Sequence, residues 1–199
     1  RSEMCIRDRG KGSVVAVVDT GITKHPDLDA NVLPGYDFIS DPKSSNDGDG
    51  RDNDATDSGD WNDAGECGFG SGSGSSWHGS HVAGTIAAVA DSQGVVGVAP
   101  EAKIVPVRVL GKCGGRLSDI ADGVAWAAGA EVQGVPRNEN PADVINMSLG
   151  GRGMCQAAYQ EAISLATSRG TTVVVAAGNE ASNAGASQPA NCQGVVTAV

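Results

Sequence analysis

The chain has 199 residues, of which 40% are hydrophobic and 4% aromatic, and its formal net charge is −10. This length favours one domain with a substantial core, because a domain of about 150 residues already buries most of the surface of its unfolded chain. The acidic balance argues against nucleic acid as a partner, since phosphate binding needs a basic face, and no apolar run approaches the roughly 20 residues of a membrane span.

The N-terminal tract RSEMCIRDR is too densely charged to contain the apolar region of a signal peptide. We interpret residues 1–11 as a non-native or disordered tract, and an ordinary frayed terminus is the alternative. Residues 12–199 then form the domain.

Five short apolar runs rich in β-branched residues predict strands that are buried on both faces. These runs cover residues 14–18, 104–110, 144–149, 171–177 and 194–199. Helical patterns lie between them, at 78–90, 117–130 and 155–168. This alternation predicts an α/β fold with a mostly parallel sheet, and functional groups are expected at the carboxyl ends of its strands.

Asp19 ends the first run of valines and precedes Thr20 and Gly21, so its carboxylate lies at a strand end beside a turn. An acid in such a place is costly to bury without a partner. We therefore predict a functional carboxylate at Asp19, and a simple cap of the next turn is the structural alternative.

Residues 41–66 hold nine acidic and two basic side chains, which gives this segment a charge of −7. Oxygen ligands recur in it at close spacing, with glycines that permit sharp turns, as in calcium-binding loops. Neutralisation of the local charge favours an ion, and a solvated acidic face is the alternative. The loop lacks a Glu at its twelfth position, which argues against an EF-hand. The predicted ligands of a structural Ca²⁺ are Asp47, Asp49, Asp52, Asp54 and the carbonyl of Arg51.

Four cysteines lie in Gly-rich and polar loop sequence without CxxC spacing, which favours two disulfides over a zinc site. They are Cys67, Cys113, Cys155 and Cys192. An oxidising, extracellular setting follows, and Cys5 is left over. The stretch GFGSGSGSS at 68–76 predicts a flexible surface connection to which we assign no role.

His78 stands at the start of a helical pattern, where backbone amides and the helix dipole act on nearby groups. His81 lies three residues later. His78 is the better candidate for an acid/base because it occupies the exposed helix start. His81 is interpreted as a packed, hydrogen-bonded histidine, and a structural role is the alternative for both.

Asn179 lies just beyond a buried strand, and the small residues before it leave room for a ligand. Its carboxamide can donate a hydrogen bond to a developing oxyanion. The alternative is an Asn that accepts a positive φ in a turn.

Taken together, the segments VAVVDTGI, HGSHVAGT, VINMSLGG and VVVAAGNE resemble those of the subtilisin-like serine proteases, in sequence and in chain order. The resemblance runs from about residue 12 to residue 199 and implies a three-layer α/β fold. It also implies Asp19 as the acid that orients the histidine, His78 as the general base and Asn179 as the oxyanion donor. The implied activity is that of a serine endopeptidase that acts on polypeptides through an acyl-enzyme, and a prodomain is a further implied partner.

The same resemblance implies how an extended peptide lies on the protein, between two backbone edges. The residues of these edges are Gly114, Gly115 and Arg116 on one side, and Ser148, Leu149 and Gly150 on the other. Ala176 and Ala177 are then expected to wall the primary specificity pocket. The motifs SSWHGSHVAGT and VLGKCGG resemble those of secreted bacterial subtilases in particular, which implies the disulfides Cys67–Cys113 and Cys155–Cys192.

A catalytic serine is the missing element, because no serine of the printed sequence lies in a Gly-Thr-Ser setting. Ser80 stands too close to His78 to be the expected nucleophile. We therefore expect residues 12–199 to be the N-terminal portion of a peptidase domain, with a fold that is incomplete at the C-terminus. A non-catalytic subtilase relative that binds peptides or proteins is the main alternative. A nucleotide-binding protein is a weaker one, since no GxGxxG or GxxxxGK follows the first strand.

Overall fold

The computed structural model describes residues 9–68 and 70–199, which form a main sheet with helices on both faces. The strands are β1 (Val14–Asp19), β2 (Tyr36–Asp37), β3 (Lys103–Arg108), β4 (Val144–Met147), β5 (Gly151–Arg152), β6 (Thr172–Ala176), β7 (Ser187–Gln188) and β8 (Val195–Ala198). The α-helices are α1 (Pro26–Asp29), α2 (Pro42–Ser45), α3 (His78–Ala87), α4 (Leu117–Ala127) and α5 (Ala157–Ser168), and a 3₁₀ turn spans Ala184–Ala186.

Six strands form the main sheet in the order β2-β3-β1-β4-β6-β8, and every neighbouring pair is parallel. The predicted α/β class with a mostly parallel sheet is therefore confirmed. β5 and β7 form a separate antiparallel pair. Because all six strands run the same way, the residues that follow β1, β3, β4 and β6 meet at one edge of the sheet.

The alternating side chains of β1 show why the sheet is buried on both faces. Ala16 and Val18 pack into the cluster that contains α4 and α5, whereas Val15 and Val17 pack into the cluster that contains α3. All four are buried, since each is at most 8% exposed. The fold thus has three layers, with helices on either side of a continuous apolar sheet.

The short elements were missed by the sequence analysis because they are too short to show a hydrophobic period. α1 and α2 each begin with a proline. The residue before it, His25 in α1 and Asp41 in α2, is the N-cap, and its side chain accepts a backbone N–H of the first turn. Asp followed by Pro is a recognisable helix start, so the signal for α2 was present in the sequence.

Both predicted disulfides are present, and they tie loops to the body of the fold. Cys67 is bonded to Cys113 across 46 residues and Cys155 to Cys192 across 37 residues. Loops of these lengths give about 4 kcal/mol of stabilisation each when the effect is assigned to the entropy of the unfolded chain.

The N-terminal part of the described chain contacts the body before the boundary predicted at residue 12. Arg9 pairs with Glu101 at 2.6 Å, and its carbonyl accepts the N–H of the same Glu at 2.8 Å. The remainder of the predicted tract, including Cys5, lies outside the described residues. Among the residues that are described, no helix has the length and apolar character needed to cross a bilayer.

Candidate active site

Asp19 and His78 meet at the carboxyl edge of the sheet, although 59 residues separate them in the chain. Asp19 is the last residue of β1, and His78 is the first residue of α3. The distance between Nδ1 of His78 and Oδ1 of Asp19 is 2.7 Å. The Asp19 side chain is fully buried, whereas the imidazole is 45% exposed. The site therefore joins a buried carboxylate to an accessible imidazole.

The start of α3 fits closely against the turn that follows β1. Trp77, before the helix, takes a left-handed conformation with φ +52°, which turns the chain into the helix. A Cβ on Gly79 would lie 2.2 Å from the carbonyl oxygen of Gly21, so only glycine permits this approach. The glycine of the HGSH motif is thus required by the packing of the helix against the turn after Asp19.

Burial raises the pKa of Asp19, while the hydrogen bonds from His78 and from the Thr20 N–H act in the opposite direction. The second carboxylate oxygen, Oδ2, is buried and has no hydrogen-bond partner among the described residues. Since the pKa is raised in the folded state, the stability contribution of Asp19 is present in acid and lost as the pH rises through the folded pKa. Ionisation of Asp19 therefore costs folding stability.

A cleft of about 700 Å³ runs past the exposed face of His78. It brings together residues that the sequence analysis had singled out on separate segments. Those that line it are His78, Asn179, Gly114, Gly115, Ser148, Leu149 and Gly150. The two predicted backbone edges thus face one cleft that also contains the imidazole.

Asn179 is exposed at this cleft, beyond the end of β6. The positive φ of this turn belongs to Gly178, at +101°, so Asn179 is not needed to accept that conformation. Its carboxamide makes no hydrogen bond to another described residue and can donate into the cleft. The turn therefore does not require an Asn at this position, and a ligand-binding role for Asn179 stays a prediction.

Three other predicted binding residues differ in their relation to the cleft. Ala176 lines a small adjoining cavity of about 100 Å³ together with Asn179. Ala177 lines neither space, and its N–H donates to the carbonyl of Ala198 at 2.8 Å. Arg116 lies just before α4 and turns away from the cleft, where it donates to Asp41 at 2.7 Å.

One wall of the cleft joins the end of the acidic segment to the stretch at 68–76, to which no role was assigned. Ser76 donates through its N–H and hydroxyl to the Asp60 carboxylate at 2.6 and 2.7 Å. Asn62 and Ser73 pair through their backbones and side chains, and all four residues line the cleft. The sequence gave no sign of these pairings, since they join residues 11 and 16 positions apart across a loop.

His81 does not have the packed, hydrogen-bonded surroundings that were expected for it. It is exposed and accepts or donates no side-chain hydrogen bond to another described residue. Together with Trp77 it borders a separate groove of about 640 Å³ on the face of α3.

The predicted metal ligands lie in a loop that an arginine from β3 already ties to the sheet. Arg108 is fully buried and pairs with the carboxylates of Asp37 and Asp47. Arg51 turns its guanidinium to Asp119 and Asp122, each at 2.7 Å. Among the described residues no three His, Cys, Asp or Glu side chains converge as a metal site does.

The charge left in this loop still suits a hard cation. Partial desolvation, together with the negative charges of Asp52 and Asp47, raises the pKa of Asp49. Carboxylate and carbonyl oxygens are the ligands that Ca²⁺ prefers. The donor chemistry fits calcium, while the present positions of the side chains would have to close around it.

Comparison with known proteins agrees with the geometry. Residues 10–199 match the model of the subtilase family. The chain is 64% identical over 189 residues to an extracellular protease of Xanthomonas campestris pv. campestris, covering 94% of this chain and 33% of the relative. It is 54% identical over 199 residues to an extracellular basic protease of Dichelobacter nodosus, covering 94% of this chain and 32% of the relative.

A solved protease structure from Pseudoalteromonas arctica superposes with a TM-score of 0.95 at 60% identity. That match covers 96% of this chain and 56% of the other. The chain spans about a third of the length of the Xanthomonas and Dichelobacter proteases. The family match over nearly all of the sequence, together with the meeting of Asp19 and His78, shows that this chain belongs to the subtilase family.

Proposed function

We propose that this chain supplies most of the catalytic site of a secreted serine endopeptidase. The observation that carries the proposal is the 2.7 Å contact between His78 Nδ1 and the buried Asp19 carboxylate, beside a cleft bordered by glycine-rich backbone. An extended polypeptide is the substrate that such a cleft fits, because close backbone edges can pair with a strand.

In the proposed mechanism Asp19 fixes the tautomer of His78. The carboxylate accepts the Nδ1–H, so that Nε2 is free to take a proton from a serine hydroxyl. The serine oxygen then attacks the carbonyl carbon of the substrate, and His78 becomes an imidazolium that the ionised Asp19 stabilises. Asn179 donates a hydrogen bond to the oxyanion that develops on the carbonyl oxygen.

Proton transfer by His78 also completes the reaction. His78 gives the serine proton to the amine of the leaving peptide, which departs and leaves an acyl-enzyme. A water molecule then gives a proton to His78 and attacks the acyl carbon. The bond between that carbon and the serine oxygen breaks, the carboxylic acid product leaves, and His78 passes its proton to the serine oxygen to restore the hydroxyl. Each step uses His78 Nε2, the nitrogen that does not bond to Asp19.

The nucleophile is proposed to lie beyond residue 199. We expect the gene to encode a Gly-Thr-Ser-Met-Ala-like segment after Val199. The 199-residue chain should not react with a fluorophosphonate reagent or hydrolyse casein, since loss of the serine lowers turnover about 10⁶-fold in subtilisin, the enzyme in which this value was measured. The complete gene product should do both.

The control for this experiment is the complete gene product with the predicted serine changed to alanine. Labelling and rapid hydrolysis by the 199-residue chain would contradict the assignment of the nucleophile. A coding sequence without such a serine, combined with peptide binding and no hydrolysis, would instead support the non-catalytic relative.

The extracellular location is part of the same proposal. Two disulfides in the described chain suit an oxidising compartment, and two relatives are named extracellular proteases. The prodomain expected from the family resemblance stays a prediction.

We also propose that the acidic loop binds a structural Ca²⁺ through Asp47, Asp49, Asp52, Asp54 and the carbonyl of Arg51. The like charges around Asp49 support this, because an ion would relieve their repulsion. We expect a chelator to lower the melting temperature of the complete gene product and added Ca²⁺ to restore it. The variant Asp49→Asn should show a smaller shift. An unchanged melting temperature after chelation would contradict the metal.

A further inference from the structure

The N-terminus of the helix that carries His78 is capped by a residue from a distant part of the chain. Trp77, at the N-cap position of α3, makes no side-chain capping bond. The Gly79 N–H is one of the first N–H groups of the helix, which have no partner within it. This N–H donates instead to the hydroxyl of Thr20, at 2.9 Å.

The Thr20 hydroxyl has its single proton engaged elsewhere. It donates to Oδ2 of Asp57 at 2.7 Å, while Oδ1 of Asp57 accepts the Gly59 N–H at 2.9 Å. Because the proton points to Asp57, the hydroxyl can only accept from Gly79. Thr20 and Asp57 are 3% and 4% exposed, so water does not compete with these bonds.

Thr20 is also the residue next to Asp19, so one short segment contacts the histidine in two ways. Asp19 holds the imidazole, and Thr20 holds the backbone that carries it. A second bond pair joins the same turn and helix, since the Thr23 N–H and hydroxyl reach Ser80 Oγ at 2.8 and 2.9 Å. The helix start is therefore fixed to the strand end by hydrogen bonds and not only by packing.

We propose that Thr20 is a positioning residue for His78, and that Asp57 orients the Thr20 hydroxyl for this purpose. The pair sets the distance between the imidazole and Asp19, which are carried by separate elements. This inference rests on the proposed function, because it assigns a role in the same site.

The test compares Thr20→Val with Thr20→Ser and Thr171→Val in the complete gene product. Valine keeps the shape of Thr20 and removes the hydroxyl. We expect kcat to fall about 10²-fold with little change in KM, since a small misplacement of a catalytic group has an effect of this size. Thr20→Ser should recover most of that loss because it keeps the hydroxyl.

Thr171→Val is the matched control, because Thr171 is 5% exposed and donates to Ala142 at 2.8 Å near the opposite end of the strands. It should lower the melting temperature and leave kcat unchanged. Proton NMR provides a readout that does not depend on hydrolysis. The downfield resonance of the His78 Nδ1–H should weaken or shift in Thr20→Val and remain in Thr171→Val.

The proposal is overturned if folded Thr20→Val keeps the parental kcat and the parental His78 resonance while losing stability as Thr171→Val does. If Thr20→Val does not fold, Asp57→Asn carries the test, because an amide cannot accept both bonds and the Thr20 hydroxyl loses its fixed direction. Parental kcat and resonance in Asp57→Asn would then overturn it. A parent protein without peptidase activity would refute the proposed function, and the resonance would still decide the positioning role.

Discussion

Replacement of His78 by alanine in the complete gene product should lower kcat about 10⁶-fold, as loss of the catalytic histidine does in subtilisin, where this value was measured. The reason is that His78 carries the proton in both halves of the proposed reaction. Asp19→Asn should lower kcat less, by about 10⁴-fold, because the serine, His78 and the oxyanion donor remain and only the correct tautomer of His78 is lost. The measurement is kcat with a chromogenic peptide substrate.

The control is His25→Asn, which removes an imidazole elsewhere and keeps a side chain that can cap α1. His25 Nδ1 accepts the Asp27 N–H at 3.2 Å, and the ring is 58% exposed. This variant should keep the parental kcat. Turnover by His78→Ala within about 10²-fold of the parent, the size of a typical single acid/base contribution, would remove His78 from the role of general base.

The replacement Arg108→Met should lower the free energy of unfolding by about 3–5 kcal/mol, because it leaves the buried carboxylate of Asp37 without its counter-charge. Arg108 is fully buried and pairs with Asp37, which is also fully buried. Its other bonds go to Asp47, the Ser45 carbonyl, the Ser58 hydroxyl at 2.8 Å and the Thr20 carbonyl at 3.2 Å. Methionine has similar length but provides none of these donors.

The loss of unfolding free energy in Arg108→Met should increase with pH. Burial raises the pKa of Asp37 to about 7, and removal of Arg108 takes away the cation that opposes this shift. A raised pKa means that stability is retained below the unfolded pKa and lost as the pH rises through the folded value. Urea denaturation should therefore show a larger loss at pH 8 than at pH 5.

Arg116→Met is the matched control, since Arg116 is 62% exposed and its pair with Asp41 lies at the surface. An exposed pair of this kind contributes at most about 1 kcal/mol. Equal losses in the two variants, or a loss in Arg108→Met that does not vary with pH, would show that Arg108 does not hold the buried charges.

The parallel sheet and the position of Asp19 could be predicted because short apolar runs rich in β-branched residues are typical of strands that are buried on both faces. Val15, Ala16, Val17 and Val18 are apolar at successive positions, which indicates a strand buried on both faces, and a parallel sheet brings its strand ends together at one edge. His78 and Asn179 could be predicted for the same reason, since each stands next to such an end or at a helix start.

The partners of Arg108 could not be predicted from its position in the run KIVPVRVL. An arginine within a buried strand must be paired, which the sequence indicates, but the partner carboxylates come from β2 and from the acidic loop, both far from Arg108 in the chain. The wall formed by Asp60, Asn62, Ser73 and Ser76 was missed because repeated Gly and Ser at 68–76 carry no period, and because the acids before them were interpreted only as part of a metal loop. Its pairings are set in space by loop closure and not by local sequence.

The Cys67–Cys113 bond joins the loop that walls the cleft to the segment that carries Gly114 and Gly115. Under the proposed function, the shape of the substrate cleft would therefore depend on the formation of this disulfide. Under the proposed export, the Cys67–Cys113 bond would be absent in the reducing interior of the producing cell. It would form, and fix the width of the cleft, only after the polypeptide has left the cell. The reduced state of these two cysteines would then help to protect the producing cell from the proposed hydrolase, independently of any inhibitory segment.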